Sequence, residues 1–548
     1  MDATAHTGPV RPGTVPRSGG GTACLPTKGT PMKELVYGRM LLPQVERTPD
    51  KVGFVEGDRS FTFAEHVERV GRLSSALKSM GVGPQDRYAV MAMNCHPYME
   101  LWHAAFLGAG VMNPLNLRLA AKEVAYILKN SGTKVVFTDF LFGGVIDQIR
   151  EEVGIEHVIL IGAGDIPHEA EYEELIAAHD SVLPDEPEEA DPVVLMYTGG
   201  TTGLPKGVLL DQRAEMLNVY HVAMRFGLDE GMINLNQVPM FHAAAMGGVL
   251  GVPAVGGLSG YIPLFDPLKA MEGIEAMQAT FTVMVPTMIA MTLNHPEFRP
   301  ERLASLTTLT YGASPMPTPL LEKLLAMYPD LDIFQGYGMT EASAILTVLG
   351  PEEHRAGGAL LKSAGRPAPG VVVSIQDPEG NKLPQGSVGE VCAQAGNFMR
   401  EYWQNPEATE EAFRGGWYHS GDAGRLDENG YLFLVDRVKD MIVTGGENVY
   451  SVEVENALAS HPAVAQVAVI GIPHETWGEA VHAIVVLHPD QTVTEAELIE
   501  HARPSIAGFK LPKSVELRSE PLPLSGAMKV LKRDLRAPFW EGHDRGVG

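Results

Sequence analysis

The chain has 548 residues, beyond the size at which one hydrophobic core stops growing, so at least two domains are expected. Hydrophobic residues at 45% and charged residues at 20% exclude a mainly disordered chain. A formal charge of −26 and a pI near 5.1 exclude nucleic acid as a partner, because most of the surface would repel it.

Residues 1–31 are rich in Gly, Pro, Thr and Ser and lack the apolar stretch of a secretion signal, so they read as a disordered extension. Met32 opens an amphipathic stretch and is an alternative translation start. From residue 32 to about 185, helical patterns such as Ala64–Met80 alternate with apolar runs at Tyr88–Met93, Val135–Thr138 and His157–Ile161, which implies an α/β sheet. A second such set is read from Val193 through Thr282–Val285 and Leu306–Tyr311, with a helix at Pro319–Met327. Cys24, Cys95 and Cys392 stand far apart with no C-x-x-C pair, which argues against a disulfide framework or a zinc site and fits a reducing, cytoplasmic setting.

Ala243 to Ile262 is twenty residues without a charge, long enough to span a bilayer. Its six glycines and Pro253, with no flanking basic anchors, instead predict small-residue backbone packed inside a large domain. From Gly365 to Val435 short strands are separated by the turn dipeptides Glu379-Gly380, Gln385-Gly386 and Asn429-Gly430, a small β-rich unit. After Arg437 come a helix at Ser451–Ala459, strands at Val464–Ile472 and Ala480–Leu487, and a helix at Glu495–His501. The expectation is an α/β fold: a large N-terminal domain, 32–436, of two stacked α/β subdomains plus the β-rich unit, then a small, mobile α+β C-terminal domain, 437–548.

The strongest chemical signal is Tyr197-Thr-Gly-Gly-Thr-Thr-Gly-Leu-Pro-Lys-Gly207, which follows the apolar run Val193–Met196. Backbone N–H groups and the hydroxyls of Thr198, Thr201 and Thr202 can crowd around phosphate oxygens at Gly199, Gly200 and Gly203, while Lys206 supplies charge. Pro205 stands where a Walker loop needs glycine, so this is a phosphate cradle of another kind. Rival chemistries lack their motifs: His474-Glu475 has no second histidine for a zincin, Gly162-Ala-Gly164 lacks the third glycine of a dinucleotide fingerprint, and no G-x-S-x-G elbow occurs.

Five further motifs follow in order: Tyr311-Gly-Ala-Ser314, Gln335-Gly-Tyr-Gly-Met-Thr-Glu341, Trp417-Tyr-His-Ser-Gly-Asp422, Asp436-Arg-Val-Lys-Asp440 and Lys529-Val-Leu-Lys-Arg-Asp-Leu-Arg536. With them, nearly all of residues 32–540 resembles the adenylate-forming superfamily of acyl-CoA synthetases, coumarate:CoA ligases, firefly luciferase and peptide-synthetase adenylation domains, nearest to fatty or medium-chain acyl-CoA ligases.

The resemblance implies that Glu341 holds Mg²⁺ against the triphosphate of ATP while Thr340 donates to phosphate; a helix start is the bland reading of the same pair. It implies that Asp422 and Arg437 hold the ribose, and that Gly312-Ala313-Ser314 and Gly336-Tyr337, continuing into Gly338 and Met339, enclose adenine. Lys529 is implied to bridge carboxylate and α-phosphate in the first half-reaction. Lys439 matches a pivot about which the C-terminal domain turns, presenting Gly445-Gly446 to the pantetheine arm of CoA. His242, in Pro239-Met-Phe-His-Ala-Ala-Ala245, matches a position beside the carboxylate, and the small residues Ala243 to Gly248 with Gly312 and Met339 suggest a tunnel for an elongated apolar acid. Two positions depart from the pattern: Met528 replaces the glycine before the lysine, and Gly199 replaces a serine.

The implied activity is ATP-dependent carboxylic acid:CoA ligation through an acyl-adenylate, on a medium- or long-chain aliphatic acid. Loading of a carrier protein, an aromatic acid as substrate, a luciferase-like oxygenase and a non-enzymatic nucleotide-binding protein are the competing readings. CoA is favoured over a carrier because no carrier domain is appended. No transmembrane segment is expected; peripheral membrane contact and a homodimer are compatible with the sequence.

Overall fold

A computed structural model of the chain describes residues 33–198, 205–314, 316–437, 440–444, 447–474, 476–526 and 528–541, without the side chains at 436, 437, 447 and 448. Two large sheets dominate. One has eight strands, in the order Glu401–Tyr402, Lys206–Asp211, Pro192–Thr198, Val111–Pro114, Arg87–Met91, Val135–Asp139, His157–Ile161 and Ala170–Glu171. The other has nine, in the order Arg366–Pro367, Thr347–Leu349, Asp332–Tyr337, Thr308–Gly312, Phe281–Met284, Ile233–Asn236, Leu258–Tyr261, Val52–Glu56 and Arg59–Thr62. Both are parallel through their middles, and the central strands are near-continuous apolar runs because both faces are covered.

Membership of the sheets corrects the two-set reading in one respect. The strand containing Val193 pairs in parallel with the first set, Met112 opposite Val194, and the hairpin Val52–Thr62 joins the second through Phe54 opposite Ser259. An apolar run carries no information about which of two sheets will receive it, so chain order was a poor guide here.

The β-rich unit is a four-stranded antiparallel sheet of Val372–Gln376, Gly389–Gln394, Tyr418–Leu426 and Leu432–Arg437. Gly380, Gly386 and Gly430 take the positive φ that its turns require. Beyond it, Glu447–Val449, Ile442–Thr444, Gly478–Leu487, Val464–His474 and Ser514–Arg518 form a separate sheet. Its own core includes Ile442, Val454, Leu458, Val469, Val481 and Leu498. The mixed α/β architecture, a large N-terminal part followed by a smaller C-terminal one, is as expected.

The uncharged stretch Ala243 to Ile262 breaks into a 3₁₀ turn at Ala243–Ala245, a π-helical turn at Gly247–Gly251, a short helix at Val252–Ala254 and the buried strand Leu258–Tyr261. Among the described residues no helix is long and apolar enough to cross a membrane.

Behind that stretch lies a buried chain of histidines. His96 Nε2 meets His66 Nδ1 at 3.0 Å, His66 Nε2 meets His103 Nδ1 at 2.7 Å, and His103 Nε2 lies 3.0 Å from the Val249 carbonyl. A carbonyl can only accept, so His103 carries its proton on Nε2, and each earlier ring donates from Nε2 in turn. Helices Phe63–Ser79 and His96–Phe106 are thereby tied to the π-helical turn.

Burial holds His66 and His96 well below the ordinary imidazole value, and pushes His103 from 6.5 down to about 4. Below pH 6.5 the unfolded chain takes up protons that the folded chain refuses, so stability is full above that pH and falls as pH drops towards 4. The His103 contribution alone is on the order of 3 kcal/mol. Thermal denaturation between pH 7.5 and 5 is expected to show Tm falling with acidity, with a shallower slope in His103→Gln.

Candidate active site

The strands on either side of the expected phosphate cradle pair antiparallel in the eight-stranded sheet, with Thr198 opposite Lys206 and Tyr197 opposite Gly207. Gly199, Gly200, Thr201, Thr202 and Gly203 lie outside the described residues, as do Lys439, Gly445, Gly446 and the Arg437 side chain. What the hairpin fixes is the root of Lys206, whose Nζ stands 4.9 Å from the Tyr402 ring centroid, a cation–π contact.

Tyr402 was not singled out from the sequence. It precedes the helix Pro406–Ala412, capped by Asn405, and its backbone adds an edge strand to the hairpin opposite Val208. Its hydroxyl donates to Glu341 Oε1 at 2.8 Å, and Met399 N donates to the Glu341 carbonyl at 2.7 Å. Burial and the Glu341 carboxylate push the phenol pKa far up, so it remains a donor. Thr340 begins a single 3₁₀ turn, Thr340–Ala342, whose cap is Met339 without a side-chain bond. The helix-start reading of Thr340-Glu341 therefore has no capping hydrogen bond behind it.

The strand ends Thr308–Gly312 and Asp332–Tyr337 run in register, Gly312 opposite Gly336. A Cβ on Gly312 would sit 2.4 Å from the Gly336 carbonyl, and one on Gly338 would sit 1.9 Å from the Ala344 carbonyl, so both positions need glycine for close backbone approach. Ala313 has φ 66°, and Ser314 follows it. Together these place bare, closely packed backbone on either side of Tyr337.

The Tyr337 hydroxyl donates to Asp422 Oδ2 at 2.7 Å, which the sequence did not foretell. Asp422 is opposite Arg437 in the antiparallel pair Tyr418–Leu426 and Leu432–Arg437. The turn before it is held by Glu390, whose Oε1 accepts from Gly421 N at 3.1 Å and whose Oε2 meets His419 Nδ1 at 2.8 Å. Glu390 and His419 were also missed: their partners lie about thirty residues away, with no spacing signal between them.

His242 caps the 3₁₀ turn Ala243–Ala245. Its segment is fixed by Asn94, whose Oδ1 accepts from Met240 N at 2.8 Å, and by Trp102 Nε1 donating to Met240 O at 3.2 Å. Nδ1 accepts from Ala244 N at 3.1 Å, so the proton sits on Nε2. Burial, and then the positive charge of Lys529, pushes its pKa down to about 3, which keeps the ring neutral at physiological pH and places Lys529 within electrostatic reach.

Lys529 arrives on a hairpin closed by a bridge between Leu524 and Val530. Arg118 Nη1 donates to Leu524 O at 2.6 Å and Thr287 Oγ1 donates to Met528 O at 3.2 Å, so the hairpin is docked on the large N-terminal part. Lys206 and Glu341 are thus joined through Tyr402, Asp422 is joined to Tyr337, and the charge of Lys529 is felt at neutral His242, a set of groups with the chemistry for joining a carboxylate to a nucleoside polyphosphate.

Residues 41–403 match the family described as AMP-binding enzyme, and residues 453–529 match its C-terminal domain. The chain belongs to the AMP-binding enzyme family. A fatty acid–[acyl-carrier-protein] ligase of Streptomyces coeruleorubidus is 36% identical over 89% of this chain and 93% of its own length. A feruloyl-CoA synthase of an Amycolatopsis species is 37% identical over 93% of this chain and its full length. The structure of the anthranilate CoA ligase AuaEII in complex with anthranoyl-AMP superposes with TM-score 0.86 at 25% identity, covering 93% of this chain and 98% of that one. This AMP-binding enzyme is accordingly an AMP-forming acid–thiol ligase of the adenylate-forming superfamily, near the fatty acyl-CoA ligases.

Tyr337→Phe removes one hydrogen bond to Asp422, worth about 0.5–1.5 kcal/mol. The KM for ATP is expected to rise about 2- to 12-fold with kcat changed less, measured as initial-rate pyrophosphate release.

Proposed function

We propose that this enzyme converts an elongated apolar carboxylic acid, Mg·ATP and CoA into acyl-CoA, AMP and pyrophosphate in two half-reactions. The observation that carries the reading is the docked Lys529 hairpin, whose charge is felt at His242. In the first step a carboxylate oxygen attacks the α-phosphorus and pyrophosphate leaves. Lys529 offsets the repulsion between the two anions and the charge that develops as they approach. Neutral His242 donates from Nε2 without adding a second cation, and Lys206 with Thr198 and Thr340 takes the phosphate oxygens.

Glu341 is the acidic group suited to hold Mg²⁺, because Tyr402 occupies Oε1 from one side and orients the carboxylate; the ion supplies charge neutralisation of the triphosphate. Asp422 and Arg437 hold the ribose, and Gly312, Ala313, Ser314, Gly336, Tyr337, Gly338 and Met339 enclose the base. In the second step the CoA thiolate attacks the acyl carbonyl and AMP leaves, with Lys439 as pivot and Gly445 and Gly446 lining the approach. The domain limits at 32–436 and 437–548 belong to this same reading.

Preference for an apolar aliphatic acid is supported by the small, buried residues Ala243 and Ala245 directly after His242. Relatives take both fatty acids and ferulate by name, and one loads a carrier protein, so the acid and acceptor are tested together. Pyrophosphate release with Mg·ATP and CoA across acetate to palmitate, benzoate and ferulate is expected to peak at a medium or long aliphatic acid with an acyl-CoA product. Equal rates with acetate and octanoate would sink the tunnel reading, and acyl-AMP without acyl-CoA would indicate a carrier protein.

Lys529→Ala is expected to slow adenylate formation by about 100-fold or more. Thioester formation from supplied acyl-adenylate is expected to remain within a few-fold, roughly the scatter of a surface change. Loss of both steps would contradict the separate use of this lysine.

A further inference from the structure

Met528 stands directly before Lys529 with φ 60°, a left-handed conformation that a residue with a Cβ disfavours and glycine adopts freely. The turn around it is tight: Met528 N donates to Ser525 O at 2.9 Å, Ser525 N donates to Lys529 O at 2.7 Å, and Lys529 N donates to Ser525 Oγ at 3.1 Å. Beside it, a Cβ on Gly526 would fall 2.1 Å from Asn116 Oδ1, so the hairpin is pressed against the Asn116–Arg118 segment.

The methionine makes contacts that glycine could not. Its Sδ lies 3.7 Å from Arg118 Nη2, and its side chain packs against the apolar core of the large N-terminal part. The other arm of the same guanidinium grips Leu524 O, at the far base of the hairpin. Arg118 therefore spans the hairpin from base to tip, and the thioether is its contact at the tip.

We propose that Met528 is a positioning residue for Lys529, its side chain acting as the anchor that seats the lysine hairpin on the large N-terminal part. The proposal rests on the reading of Lys529 as the residue of the first half-reaction. The contacts of the Met528 side chain with Arg118 and the apolar core are made across to the other part of the molecule, so their loss loosens the seat. Glycine relieves the strained turn but leaves the hairpin unanchored, and the ammonium then spends less time at the reacting atoms. A turn that merely tolerates methionine predicts the opposite sign, with glycine equal or better.

The test compares Met528→Gly, Met528→Leu and Lys529→Ala, using the best acid of the panel. Adenylate formation is followed as pyrophosphate release without CoA, and thioester formation is followed from supplied acyl-adenylate. Met528→Gly is expected to lower kcat for adenylate formation about 10- to 100-fold, with the KM for ATP within about twofold and thioester formation unchanged. Met528→Leu, which keeps apolar bulk, is expected to recover most of that loss. Adenylate formation by Met528→Gly at or above the parent rate, or equal loss in both half-reactions, overturns the proposal. If Lys529→Ala itself retains adenylate formation, the reading of the lysine fails instead; an inactive Lys529→Ala beside a fully active Met528→Gly fails the anchor alone.

Discussion

The Tyr402 hydroxyl reaches Glu341 at 2.8 Å while its ring lies 4.9 Å from the Lys206 ammonium, so one side chain sets the separation between an anion and a cation that belong to different sheets. Lys206 is rooted in the eight-stranded sheet, and Glu341 follows the last parallel strand of the nine-stranded one. Without a joint at this point the two could drift independently, and charge handling depends on their distance as its inverse. The joint is reinforced in the backbone, by pairing of Tyr402 with Val208 and by Met399 N on the Glu341 carbonyl. A chain of net charge −26 has few cations to spare for a polyanionic substrate, which makes their placement more consequential than their number.

The other side of the site is fixed by a different kind of interaction. The segment following His242 packs Ala243, Ala245, Met246, Val249 and Leu250 into the main core, and it is also anchored by polar groups. Tyr37 donates to the Leu250 carbonyl at 3.1 Å and His103 donates to Val249, both within the π-helical turn Gly247–Gly251. A π turn offsets carbonyls from the regular ladder, and here buried donors from Tyr37 and the helix His96–Phe106 use them. The position of the segment is then specified by polar bonds as well as packing, at the cost of burying three histidines that must stay neutral.

Much of this was legible in the sequence where a local rule governs it. The strand His157–Ile161 and the helix Ser451–Ala459 lie where their apolar periodicities put them, and Gly380, Gly386 and Gly430 make the turns their dipeptides suggested. The candidate residues could be nominated from the sequence because phosphate, ribose and carboxylate chemistry demands particular residue types in short motifs. What escaped was what depends on long-range juxtaposition: Val193 joining the earlier sheet, Tyr402 reaching across sixty-one residues to Glu341, and Glu390 holding the Gly421 turn. None of these leaves a periodicity or spacing to read. The departure at Met528 was visible as a residue out of place, but its contacts with Arg118 were not.

The distribution of backbone strain connects these observations. Among the described residues seven other than glycine have positive φ, and four of them, Ala313, Ser343, Ala344 and Met528, lie in the segments that make up the site. Each such residue costs about 1–3 kcal/mol and persists only where its surroundings leave no alternative. At Ala344 the constraint is visible, since its carbonyl fills the space a Gly338 side chain would need. At Met528 it is visible too, but the surroundings belong to another part of the molecule, reached through Thr287 and Arg118. A strained turn restrained by its own neighbours is a fixed feature of a fold, whereas one restrained from across a junction keeps its geometry only while the junction is closed. The turn before Lys529 is restrained both ways, by its own bonds to Ser525 and by Thr287 and Arg118 across the junction, so docking adds to a restraint that the hairpin already carries.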